Sequence, residues 1–190
     1  MYKFLRMITT PLRIILVEDE ETDAVLIKRQ IAKIVEMPEI KIVQDLPGFE
    51  NLFTSFLPDV VISDYNLPSG TGLDIMELVK SIDESIPLIF ITGALDDDEL
   101  AADTILSGAS GFILKKHMNN LDEKLEPLLK QVVYNMVQHG ELREGIRKNK
   151  IAVHQIYSYL DSMKADDKEQ RENIRKIRNN LDKFNVEDAE

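Results

Sequence analysis

The sequence predicts an α/β fold: a parallel sheet wound with helices on both faces, followed by a helical extension. Three observations predict it. Apolar runs of strand length alternate with segments of helical apolar spacing through residue 114. The runs are nearly continuous in Val, Ile and Leu, as strands buried on both faces are. From about residue 120 the pattern changes to a single heptad register that lasts to the end of the chain. Right-handed crossovers turn the alternation into a doubly wound sandwich.

The elements follow in order. Residues 12–17 form the first strand, and 22–35 a helix with apolar residues at helical spacing, Ala24, Val25, Ile27, Ile31, Ile34 and Val35. Residues 40–43 form a short strand, and 47–57 a helix with Phe49, Leu52, Phe53 and Phe56 inward. Residues 60–63 form the third strand, and a turn-rich stretch, 65–72, leads into a helix over 73–82. Residues 87–91 form the fourth strand. Asp96 to Asp98 cap a helix running through Leu106. Gly108 and Gly111 punctuate the next turn, 112–114 form the fifth strand, and a fifth helix opens near Asn120. Residues 1–10 are expected to be a disordered leader, 11–130 the α/β domain, and 131–190 the helical extension.

In doubly wound sheets ligands bind outside the carboxyl ends of the strands. Glu18, Asp19, Asp64, Thr92 and Lys115 all fall at such ends. The first strand spills into Glu18-Asp19-Glu20, and the third ends in Asp64. Two carboxylates, a backbone carbonyl and waters satisfy the octahedral oxygen geometry of Mg²⁺, and a cation offsets the repulsion between crowded carboxylates. One carboxylate is then free to act as a nucleophile toward phosphorus. Acidic loop residues also cap helices, the role expected of Glu20 and Glu21. The Thr92 hydroxyl can bond a phosphoryl oxygen, and the Lys115 ammonium suits phosphate as a point charge.

Composition narrows the function. The formal net charge is -11, which argues against a general nucleic-acid binder. Residues 121–190 hold 13 Lys/Arg against 14 Asp/Glu, so the excess acid lies in 1–120, with the pocket. The chain has no cysteine, which rules out a disulfide framework and fits a cytoplasmic protein. No apolar run reaches membrane-span length.

The ordered set of acid pair, acid, hydroxyl and lysine resembles the receiver domain of two-component response regulators. Ile14-Ile15-Leu16-Val17-Glu18-Asp19-Glu20 is similar to its first strand and acidic pair. The run Asp64 to Gly72, with Pro68 and Gly72 four and eight residues on, is similar to its phosphoacceptor loop. Phe90 to Ala94 and Gly108 to Lys115 complete the likeness, which covers about residues 11–130.

The resemblance implies a flavodoxin-like sheet of order 2-1-3-4-5. It implies that Asp64 accepts a phosphoryl group from a histidine kinase, a phosphotransfer protein or a small phosphodonor. Asp19, Asp64 and the Asn66 backbone carbonyl would bind Mg²⁺ directly, with Glu18 acting through water. Lys115 would neutralise phosphoryl charge, and Thr92 and Phe112 would serve as the switch pair. The protein would then be a self-phosphorylating signalling switch rather than a metabolic enzyme. The family commonly has proline after the lysine; here Lys116 follows Lys115, so a trans peptide is expected. Ala94, flanking the site with Asn66, should leave water an open approach to the phosphoryl group.

The tail is read by its register. With Leu125 at position a, 14 of 19 a and d positions through Phe184 are apolar, enough to expect a coiled coil. Gly140 and Gly145 weaken it, and Pro127 marks a helix start or a kink. Three arrangements are open: a coiled coil that dimerises the receiver, a hairpin folded back on it, or a linker to a kinase or PAS module. The partners expected are a kinase or phosphotransfer protein, a second copy of the chain and a protein effector, with no DNA and no membrane. His139 and His154 are expected to be packing or solvated residues, not phosphoacceptors. An Mg²⁺-dependent phosphotransferase or hydrolase is the rival reading; Asn66 stands where such enzymes often place a second acid.

Overall fold

The computed structural model describes residues 7–93 and 104–138, with ten further helical positions between 145 and 179. The elements are β1 (Leu12–Val17), α1 (Glu21–Ile31), β2 (Pro38–Val43), α2 (Leu46–Phe56) and β3 (Val60–Ser63). A small hairpin follows, β4 (Asn66–Leu67) and β5 (Gly70–Thr71), then α3 (Gly72–Asp83), β6 (Leu88–Thr92) and β7 (Gly111–Leu114). A 3-10 segment, Lys115–Asn120, leads into α4 (Leu121–Gln138). The main sheet is parallel throughout, in the order β2-β1-β3-β6-β7. With the antiparallel hairpin set aside, this is the order 2-1-3-4-5.

Strand alternation divides the core into two layers. Ile14 and Leu16 of β1, Val60 and Ile62 of β3, and Ile89 and Ile91 of β6 pack with Ile27 and Ile31 of α1 and Leu121, Leu125 and Leu129 of α4. Ile15, Val17, Val61, Leu88 and Phe90 face the other way, onto Phe49 and Phe53 of α2 and Ile75 and Val79 of α3. Neither face is left to solvent at the central strands, hence their unbroken apolar runs. The edge strand β2 keeps Glu39, Lys41 and Ile42 exposed.

Helix boundaries have local causes. Asp45 caps α2 by accepting from the Gly48 N–H at 2.7 Å, with Pro47 in the first turn. Thr71 and Asp74 form a capping box at α3. Helix α1 stops at Ile31, so Ile34 and Val35 are buried from a turn rather than from the helix expected through residue 35. That turn is held by Ile8. Its N–H donates to the Ile34 carbonyl at 2.7 Å, and its carbonyl accepts from Glu36 N–H at 2.9 Å. Ile8 is therefore part of the fold rather than of the leader expected over residues 1–10, and residues 1–6 lie outside the described residues. Of the fourth expected helix the described part, 104–106, is helical; residues 94–103 lie outside the described residues.

The chain divides into two units, Met1–Gly140 and Glu141–Glu190. The boundary expected at 130/131 falls inside α4, because Val132 still packs into the core. Pro127 sits inside α4 without ending it. The first seam residues also need correction. Leu121, Leu125 and Val132 are buried against the sheet of their own domain, and Leu128 packs beside them. A stripe docked on a sheet and a coiled-coil seam share the same spacing, so periodicity could not separate them. Most of the later seam, with His139 and His154, lies outside the described residues.

Candidate functional site

The sheet ladder builds the site. Val17 and Ser63 are register partners, and Asp64 N–H continues the ladder by donating to the Val17 carbonyl at 2.9 Å. Glu18 N–H likewise donates to Val43 O at 2.9 Å. Glu18 and Asp64 therefore leave neighbouring strands at the same level. Glu18, Asp19 and Asp64 each offer a carboxylate oxygen, and these lie within 4.8 Å of one another. Lys115, the first residue after β7, reaches into the group. Its Nζ lies 2.9 Å from Glu18 Oε1, 2.7 Å from Asp64 Oδ2 and 2.7 Å from Asp23 Oδ2.

The Asp64 loop is fixed on its other side. Asn66 N–H donates to Asp64 Oδ1 at 3.1 Å, and Gly72 N–H donates to Tyr65 O at 2.6 Å, closing the β4–β5 hairpin back onto β3. The Ser69 hydroxyl at its tip accepts from Leu46 N–H at 3.0 Å, tying the loop to α2. Thr92 ends β6, fully buried, in register with Leu114 and so next to Lys115 along the sheet edge. Phe112 is half-buried on the Phe90 and Tyr65 side of the sheet. The Lys115–Lys116 peptide is trans, as are all described peptides.

Charge and burial pull against each other here. Burial pushes the Glu18 carboxyl up to about 7, against the lowering effect of the Lys115 ammonium. Burial also disfavours the Lys115 ammonium. Hydrogen bonds to Asp23, Asp64 and Glu18 outweigh that and hold its pKa well above the ordinary lysine value. Glu18 Oε2 is buried with no hydrogen-bond partner among the described residues. A buried carboxylate oxygen left unpaired is costly, and an ordered water or ion offsets it. The donors are hard oxygens, the chemistry that Mg²⁺ takes while keeping several of its waters. The residues thus fit such an ion, with the orphaned Glu18 oxygen suited to one of its waters.

Four residues named from sequence, Glu18, Asp19, Asp64 and Lys115, meet at the carboxyl ends of the strands, and Thr92 ends the strand beside them. The capping role expected of Glu20 does not appear: it holds the N-cap position of α1 without a side-chain bond, and its N–H donates to Glu18 Oε1 at 3.3 Å. Ala94 lies outside the described residues. Asp23 was missed. The available signal was its spacing, four residues after Asp19 in the first turn of a helix.

Comparison with known proteins agrees with this fold. Residues 14–126, more than half of the chain, match the response regulator receiver domain. The chain belongs to that family, whose members are signalling proteins with a phosphoacceptor role. It is 31% identical over 121 residues to the uncharacterized transcriptional regulatory protein YvcP of Bacillus subtilis, covering 63% of this chain and 49% of that one. It is 33% identical over 61 residues to the regulatory protein LuxO of Vibrio vulnificus, covering 31% of this chain and 13% of LuxO. The chain thus spans half or less of these two relatives. Among solved structures, the receiver domain of a LuxO repressor protein from Vibrio parahaemolyticus superposes with a TM-score of 0.60 at 24% identity, covering 67% of this chain and 97% of that one. The non-phosphorylated HemR receiver domain of Leptospira biflexa gives 0.54 at 27% identity, covering 62% and 93%.

Proposed function

We propose that this protein is a phosphorylation switch in which Asp64 takes a phosphoryl group from a histidine kinase or phosphotransfer protein. One observation carries the reading: Asp64, nearly buried, has Lys115 Nζ at 2.7 Å and two further carboxylates close enough to share a cation. An Asp64 carboxylate oxygen attacks phosphorus in line. The new P–O bond forms as the P–N bond to the donor imidazole breaks, and the electron pair leaves with the imidazole. Bound between Asp19, Asp64 and the Asn66 carbonyl, with Glu18 acting through water, Mg²⁺ would supply positive charge to the phosphoryl oxygens.

The chain's own residues do the rest. Asn66 N–H, bonded to Asp64 Oδ1, fixes the carboxylate plane. Lys115 neutralises charge that builds on the phosphoryl group. Thr92, at the end of the neighbouring strand, offers the hydroxyl that follows the new charge, and Phe112 adjusts with it. Phosphorylation adds roughly -1.5 to -2 of charge where a carboxylate had one, which biases a two-state equilibrium.

The state is relayed through the helical tail, which dimerises the protein and contacts a protein effector. Ile156 and Ile177, both d positions of the heptad, are large apolar side chains left exposed within one chain, in support of this relay. Acetyl phosphate with Mg²⁺ tests the reading. The intact mass should rise by one phosphoryl group in the native protein and not in Asp64→Asn; equal uptake by both would refute it.

A further inference from the structure

Lys115 bonds three carboxylates, and one of them has no place in the mechanism above. An ammonium has three N–H donors. Here all three are taken, by Glu18, Asp64 and Asp23. On phosphorylation Asp64 ceases to be a carboxylate, so its bond to Lys115 passes to one phosphoryl oxygen, and Lys115 can bond a second only by giving up another carboxylate. The two that remain are not equally easy to release. The Glu18 side chain is 0% exposed, whereas that of Asp23 is 30% exposed. Water can replace the ammonium at Asp23 at low cost, but not at Glu18, whose second oxygen is already orphaned. The added charge on Asp64 also repels Asp23 once the ammonium no longer lies between them.

We propose that Asp23 is a positioning residue, the acceptor that Lys115 exchanges for the phosphoryl group, so that release of Asp23 is the first mechanical consequence of phosphorylation. The inference rests on Asp64 being the phosphoacceptor. Asp23 lies in the first turn of α1, and Lys115 opens the segment that leads into α4. Two further contacts, from α1 and from the turn after it, reach the segment entering α4 and the start of α4 away from the site: Gln30 Nε2 donates to Met118 O at 2.9 Å, and Lys33 Nζ lies 3.5 Å from Asp122 Oδ2. Breaking Asp23–Lys115 frees the site end of this seam while its far end stays pinned. The start of α1 and the segment entering α4 can then separate about that pinned end. Before phosphorylation, the same contact holds Lys115 back from the donor.

The test compares the full chain with Asp23→Asn and with Glu21→Gln. The second variant removes an exposed carboxylate from the same helical turn without touching Lys115. Uptake from acetyl phosphate is timed at saturating Mg²⁺. Amide exchange in the first turn of α1 is followed with and without beryllofluoride. Asp23→Asn should be phosphorylated about 3- to 10-fold faster than Glu21→Gln, a shift of up to one decade or about 1.4 kcal/mol. Beryllofluoride should speed first-turn exchange in the native chain, whereas Asp23→Asn should already exchange at that faster rate and not respond. Equal rates and equal exchange in the two variants, with the native chain phosphorylated normally, would overturn the role of Asp23 and leave Asp64 standing. A native chain that takes up no phosphate removes the reading of Asp64 and, with it, this one.

Discussion

The ring of Phe90 occupies the space that a side chain at residue 72 would need. A Cβ on Gly72 would clash with Phe90 Cε1 and lie 3.1 Å from the Asp64 carbonyl oxygen. The glycine eight residues after Asp64 is thus a packing requirement of α3 against β6, placed next to the Asp64 backbone. Gly72→Ala should destabilise the domain by about 1–3 kcal/mol through overpacking. Phe90→Leu in the same chain should return part of that loss, although alone it destabilises. Urea unfolding of the two single variants and the double variant checks this; simple additivity would contradict it.

Lys115 offsets the repulsion among Glu18, Asp23 and Asp64. Lys115→Met leaves buried carboxylates without their cation and should cost on the order of 3 kcal/mol in metal-free buffer. Adding Mg²⁺ should recover much of that loss without restoring phosphorylation. Denaturation midpoints with EDTA and with Mg²⁺ measure it, and a variant whose stability ignores Mg²⁺ would speak against the shared site.

The raised pKa of Glu18 fixes a pH dependence. The folded protein holds this proton more tightly than the unfolded chain, whose value is near the ordinary 4.5. The corresponding stability is fully present below pH 4.5 and is lost as pH rises through about 7. At about 1.36 kcal/mol per unit the loss is on the order of 3 kcal/mol. Metal-free native protein should therefore lose stability relative to Glu18→Gln across this window, and Mg²⁺, which takes the ionised form, should flatten the difference. Parallel pH curves for the two proteins would count against it.

The C-terminal stripe should divide by function. Leu125 and Leu129 are fully buried in the domain, so Leu125→Ala should cost about 2–5 kcal/mol in domain stability and leave self-association intact. Ile156→Asp should do the reverse, lowering self-association in sedimentation with little change in the unfolding midpoint. A chain ending at Gly140 should still unfold in one cooperative transition. Loss of self-association on Leu125→Ala at unchanged stability would reverse the assignment.

Much of the fold was legible because burial and periodicity coincide. β1, β3 and β6 are apolar on both faces for the plain reason that both faces are covered, and the strand-end positions of Glu18, Asp64, Thr92 and Lys115 followed from that. What was not legible depended on partners distant in sequence. Ile8 joins the fold by bonding to the turn at Ile34, which nothing near Ile8 announces. Asp23 reads as an ordinary first-turn acid until β7 delivers Lys115 to it across the sheet. The two-residue strands β4 and β5 are too short for any periodic signal. Leu121 and Leu125 fit a coiled-coil seam and a sheet-docked stripe equally well, and only the packing distinguishes them.

The most direct test of the central claim is to locate the phosphoryl group. The full chain is treated with acetyl phosphate and Mg²⁺, trapped by borohydride reduction, which converts an aspartyl phosphate to homoserine, and mapped by peptide mass spectrometry. The expected result is homoserine at residue 64 alone, absent when Mg²⁺ is chelated. Phosphate on His139 or His154, or trapping at 64 that proceeds equally well without Mg²⁺, would contradict the account.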